Sequence, residues 1–90
     1  IKHEGIVQRF AGRLRELRLA RGLTQVELAT AAGIAVSYAG RLERAGAAPG
    51  IDLLARLADA LGVTPHDLLP LADPPDPLPV LQGRARTLFD

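Results

Sequence analysis

An all-α fold, a bundle of five short helices followed by a proline-rich tail, is what this chain predicts. Three observations carry that expectation. Apolar residues recur at helical spacing in successive short stretches. Leu and Ala dominate a chain with one Tyr, two Phe and no Trp, which suits packed helices better than a sheet. Helix start and stop residues bracket the stretches: Thr24 with Glu27, Gly33, Gly62, and Thr64 with Pro65. Ninety residues make one small domain, able to bury only about 60–65% of its unfolded surface.

The first helix is expected from about Ile6 to Arg21, with Val7, Phe10, Leu14 and Leu17 on one face. Thr24 then stands as N-cap of a second helix. Its hydroxyl can accept from the amide of Glu27, while the Glu27 carboxylate reaches back to the amide of Thr24. Gln25 opens this helix at its amide-rich end, Leu28, Ala29 and Ala32 form its inner face, and Gly33 ends it. Ile34 plugs the turn. A third helix follows from about Val36 to Ala45, with Ala39 and Leu42 inward and Gly46 closing it.

Residues 47–50 read as a loop. The fourth helix is Ile51–Leu61, with Leu53, Leu54, Leu57, Ala58 and Leu61 inward and Gly62 as its stop. Thr64 and Pro65 restart the chain as N-cap and first-turn proline of a fifth helix, with Asp67 favoured near that terminus and Leu68 and Leu69 closing the core. Five of the seven prolines fall in residues 70–79, so this stretch reads as an extended linker. Residues 80–90 could form a short helix with Leu81, Ala85, Leu88 and Phe89 on one side. They are either a frayed tail or an arm that packs on a second subunit or a partner protein.

Two short helices hinged at Gly33, with hydroxyl, amide and arginine groups turned outward, are the means by which a protein presents a helix to the DNA major groove. The ordered set Arg18, Gly22-Leu23-Thr24-Gln25, Leu28-Ala29, Gly33-Ile34, Tyr38, Arg41-Leu42-Glu43 resembles the Cro/phage-repressor (XRE-family) helix-turn-helix domain. The likeness continues through Pro49, Leu53-Leu54, Leu57-Ala58, Leu61 to Thr64, and Leu68-Leu69, and so covers about residues 9–69. It implies a lambda-repressor-like domain over residues 1–69, to which the composition adds a linker over 70–79 and an arm over 80–90.

The resemblance also implies roles. Gln25 matches the position that grips a phosphate, Val36, Ser37 and Arg41 fall at base-reading positions, and Tyr38 and Arg44 are expected to reach the DNA backbone. Arg41 can offer a bidentate pair to guanine O6 and N7, Val36 can touch a thymine methyl, and Ser37 can donate or accept. A solvated Arg41 and a Tyr38 partly buried against the second helix are the alternatives. Arg18 and Glu43 match an ion pair that holds the first helix against the end of the third. Three positions depart from the family pattern. Ala35 leaves the third helix without a side-chain cap, Gly40 lies inside it, and Ala45 replaces the usual glycine, although Gly46 follows.

Charge adds to the picture. Residues 1–46 hold eight basic against four acidic side chains, a net of +4, whereas residues 47–90 hold three against six, a net of −3. The positive half is the one that carries the motif, as phosphate attraction requires; an Arg-rich, solvated first helix would look the same. No Cys is present, which excludes a disulfide framework and a thiolate metal site. No apolar run approaches the ~20 residues of a membrane span. His3 and the His66–Asp67 pair have no second histidine at ligand spacing, and Ser37 has no evident base partner. No catalytic residue, metal site or cofactor is therefore expected.

The function expected is a transcriptional regulator that binds double-stranded DNA as a homodimer, located in the cytoplasm and on the nucleoid. The alternative is a helix-turn-helix scaffold for protein contact, antitoxin-like or adaptor, whose residues 70–90 engage a partner.

Overall fold

Four α-helices and one 3-10 turn make up residues 4–69, the part of the chain that the computed structural model describes: α1 (Glu4–Ala20), α2 (Gln25–Ala32), α3 (Val36–Glu43), α4 (Ile51–Leu61) and the turn Pro65–Leu68. The described residues contain no strand. The fifth element expected as a helix is thus a single tight turn. Thr64 caps it, but Pro70 pushes the residue before it out of the helical region, and Leu69 is accordingly non-helical. The proline-rich segment 70–79 and the arm 80–90 lie outside the described residues.

Apolar spacing places the helices around one core. Phe10, Leu14 and Leu17 from α1 meet Leu28 and Ala32 from α2, Leu42 from α3, Leu53, Leu57, Ala58 and Leu61 from α4, and Leu68 from the turn. Leu14, Leu28, Leu42, Leu57 and Leu68 are wholly buried. Val7 and Leu54, both expected inward, are only partly covered. α2 packs on both α3 and α4, and α1 closes against α3 and the 3-10 turn. The alanines at 29, 32 and 39 are buried where helices cross, because a methyl group is all that close approach leaves room for.

The first four helices end alike. One or two residues past each helix the chain takes the left-handed conformation, and the next amide donates back to the last turn: Leu23 to the Arg18 carbonyl, Ile34 to Ala29, Gly46 to Arg41 and Val63 to Ala58, at 2.8–3.1 Å. Three of the left-handed residues are glycines, Gly22, Gly33 and Gly62, with φ of 70–74°. The fourth is Ala45, with φ of 61°. Gly46 therefore does not close α3 as the sequence suggests. The left-handed position of this turn falls on Ala45, one residue before the glycine. An alanine there carries about 1–2 kcal/mol of steric cost, against the 0.4–1 kcal/mol that glycine loses in unfolded-chain entropy. Ala45→Gly is expected to raise stability by about 0.5–1 kcal/mol, read as a rise in the urea midpoint at unchanged slope.

Arginines finish several carbonyl ends. Arg21 donates to the Leu61 carbonyl at 2.7 Å, Arg56 to Ala32 at 3.1 Å and Arg13 to Asp67 at 3.0 Å. Each supplies a donor to a backbone oxygen that the end of a helix or turn leaves without an internal partner. At the other end of the 3-10 turn, Asp67 accepts from the Thr64 amide at 3.0 Å while its own amide donates to the Thr64 hydroxyl at 3.3 Å. Hydrogen bonding to the carboxyl from the Thr64 amide first and the Thr64 hydroxyl second holds Asp67 below its ordinary range.

A carboxylate with a lowered pKa in the folded state stabilises fully above its unfolded pKa of about 3.9. That stabilisation is lost as pH falls through the folded value. Between about pH 4 and pH 2, Asp67→Asn is expected to flatten the fall of the urea midpoint with pH; an unchanged slope would remove Asp67 from the acid transition.

Candidate nucleic-acid interface

α2 and α3 form the motif, and local chemistry sets both. Thr24 caps α2 with reciprocal bonds: the Glu27 amide donates to the Thr24 hydroxyl at 3.0 Å and the Thr24 amide to the Glu27 carboxylate at 2.8 Å. Gly33 turns the chain out of α2, and Ala35 begins α3 in an extended conformation with no side-chain cap. The first amides of α3 are consequently left unpaired by side chains. Ala39 and Leu42 anchor the inner side of α3 in the core.

The outer side of α3 carries Val36, 45% exposed, together with exposed Ser37, Arg41 and Arg44. Tyr38 is half-buried and packs at the edge of the core. Its ring lies 5.8 Å from the Arg41 guanidinium carbon, so burial and contact with the outer face coexist in one side chain. Arg41 also donates to the Gly46 carbonyl at 3.2 Å, across the left-handed turn that ends α3.

Behind this face lies a buried ionic lock. Arg18 and Glu43 have side chains only 10% and 3% exposed. Arg18 Nε donates to Glu43 Oε2 at 2.6 Å and Nη2 to Oε1 at 3.0 Å, the fork geometry of a bidentate guanidinium–carboxylate pair. The remaining Nη1 donates to the Leu23 carbonyl at 2.8 Å, which ties the α1–α2 turn into the same site. The hydrogen bond to Glu43, opposed by desolvation and aided by its charge, raises the Arg18 pKa further above its already high ordinary value.

Gln25 belongs to this lock too, a link that its spacing of 18 residues from Glu43 hides in the sequence. Its Nε2 donates to Glu43 Oε1 at 3.1 Å, while the side chain stays only partly covered. One amide hydrogen is committed to Glu43, and the other is available to an acceptor outside. Three elements thus converge on one carboxylate: α1 through Arg18, α2 through Gln25, and α3 through Glu43 itself. The arginine caps at 13, 21 and 56 are the other contacts that the sequence conceals, since their partners lie 54, 40 and 24 residues away. The described residues hold no group of three or more potential metal ligands, and none of their helices is long and apolar enough to cross a membrane.

Comparisons with known proteins converge on the same motif. A family model described as Helix-turn-helix matches residues 14–68. The chain is 49% identical over 57 residues to the HTH-type transcriptional regulator DdrOP3 of Deinococcus deserti, covering 63% of this chain and 44% of that protein. It is 41% identical over 68 residues to the uncharacterized HTH-type transcriptional regulator YobD of Bacillus subtilis, covering 76% and 61%. The chain therefore spans about half the length of these relatives. Among solved structures it is similar to the restriction-modification controller protein C.AhdI from Aeromonas hydrophila, with a TM-score of 0.68, 40% identity and coverage of 70% of this chain and 96% of that one. The clp gene regulator ClgR from C. glutamicum superposes with a TM-score of 0.67 at 32% identity, covering 70% and 82%. With its capped α2, its left-handed turn at Gly33 and its α3 locked from behind, this chain belongs to the helix-turn-helix family, of the Cro/phage-repressor type.

Proposed function

We propose that the chain is a sequence-specific DNA-binding transcriptional regulator, acting as a homodimer with α3 of each copy in the major groove. One observation carries this reading: α3 is fixed from behind by the buried Arg18–Glu43–Gln25 lock, while Val36, Ser37, Arg41 and Arg44 stand exposed on its outer side. A rigid helix with a polar and basic outer face is what base readout needs. In this reading Gln25 gives its second amide hydrogen to a phosphate, Arg41 reads a guanine, Val36 and Ser37 contact neighbouring base edges, and Tyr38 and Arg44 flank them. The names of the two curated relatives, both transcriptional regulators, support it.

Selection of sites from a random duplex pool, followed by a salt titration on the winner, tests the proposal. An enriched inverted repeat with half-sites about 34 Å apart is expected. Weak, salt-sensitive binding with no enriched sequence would reduce the interaction to phosphate attraction and sink the reading. A protein-contact scaffold would then take its place. The feature that favours that second reading is an apolar groove of about 230 Å³ walled by Val7, Phe10, Pro49, Ile51, Leu54 and Leu69, with Ile51 87% exposed at its rim.

A further inference from the structure

Gly40 interrupts α3 where any other residue would favour the helix more, and its surroundings give a reason. At about 100° per residue, positions 37, 40, 41 and 44 share the outer side of α3, away from Ala39 and Leu42. Gly40 is nevertheless buried. What lies over it is the Arg44 side chain: a Cβ built at position 40 would meet Arg44 Nη1 at 2.9 Å, with Cζ and Nη2 at 3.7 Å. These are the three nearest atoms there. A helical side chain leans over the turn before its own Cα, and the missing Cβ at 40 lets Arg44 lie flat in that position.

We propose that Gly40 and Arg44 together form a specificity determinant, in which the gap at 40 carries the Arg44 guanidinium back along α3 to read a guanine edge rather than a phosphate. The inference rests on the DNA-reading function proposed above and names a residue pair within that surface. From the end of α3, where its Cα lies, an arginine would meet the sugar–phosphate wall. Drawn back by about one turn, ~5.4 Å along the axis, its planar fork lies over Gly40, on the side of α3 that positions 37 and 41 share. Val36 and Ser37 are too short to fill that stretch, so Arg44 supplies a second long donor beside Arg41. The guanidinium can pair with guanine O6 and N7.

The test compares the wild-type chain with Gly40→Ala, Arg44→Ala and the double variant by site selection, then by titration against single-base variants of the selected duplex. Gly40→Ala is expected to fold, because the atoms it displaces are the far end of a flexible side chain and alanine is the better helix former. Arg44 is exposed, which makes Arg44→Ala the second handle on the same contact. Wild type should prefer guanine at one position by roughly 5- to 150-fold. Both single variants should lose that preference at that same position, and the double variant should lose nothing more.

The assignment is overturned if Gly40→Ala keeps the wild-type profile. It is also overturned if Arg44→Ala weakens all sites evenly and lowers the salt slope by about one, the signature of a phosphate contact. A wild-type chain that enriches no sequence removes the DNA-reading function and this assignment together, whereas a sharp profile unchanged by Gly40→Ala removes only the assignment.

Discussion

Replacing Glu43 by alanine is expected to destabilise the domain by about 3–5 kcal/mol. The carboxylate is 3% exposed and receives two bonds from an Arg18 side chain that is itself 10% exposed. Its removal leaves Arg18 with the Leu23 carbonyl alone, a buried cation with most of its compensation gone. A single core of this size supplies a total stability of only about 3–5 kcal/mol. Glu43→Ala should therefore be largely unfolded at 37 °C, with no cooperative thermal transition above that temperature. The paired replacement R18M/E43L separates fold from function, because an apolar pair of similar volume is often neutral or stabilising where an ion pair was buried. It should recover most of the stability in urea melts. DNA affinity should stay low at every sequence, since Gln25 has lost the acceptor that orients it. If Glu43→Ala melts within 1 kcal/mol of wild type, the lock does not hold α3 and the reasoning built on it fails.

That lock shows where sequence reasoning reaches and where it stops. The helix boundaries were legible because their signals are local. Thr24 and Glu27 are three residues apart and form the expected reciprocal cap, and Gly33 and Gly62 take the left-handed conformation where the apolar spacing ends. α4 runs over Ile51–Leu61 as its leucines indicate. The end of α3 was not legible. Ala45 and Gly46 are adjacent and glycine is the better left-handed residue, yet Ala45 is the one that turns. Long-range polar contacts were equally hidden. Nothing local announces that Arg21 caps α4 or that Arg56 caps α2, so part of the positive charge that looks available for phosphate is engaged within the fold. Gly40 reads in the sequence as a helix defect; only its neighbour in space, the Arg44 guanidinium, gives it a use.

Arg41→Ala is expected to separate binding from stability in the opposite sense to Glu43→Ala. Arg41 is exposed, and its contacts in the free protein are the Tyr38 ring at 5.8 Å and the Gly46 carbonyl at 3.2 Å. Both lie at the surface, where such contacts contribute little, so the urea midpoint should move by no more than about 0.5 kcal/mol equivalent. Binding to the selected site should weaken by about 1–3 kcal/mol, with preference lost at one base position. Gln25→Ala gives the contrasting pattern. The phosphate contact proposed for it would serve all sequences alike, so every site should weaken together. Because no cation is removed, the salt dependence should keep its slope. Were Arg41 gripping a phosphate instead, its loss would weaken all sites uniformly and lower the salt slope by about one. Titrations of the two variants against the selected duplex and a random one, each at several salt concentrations, tell these outcomes apart. They also decide whether the exposed half of α3 reads bases or only follows the backbone.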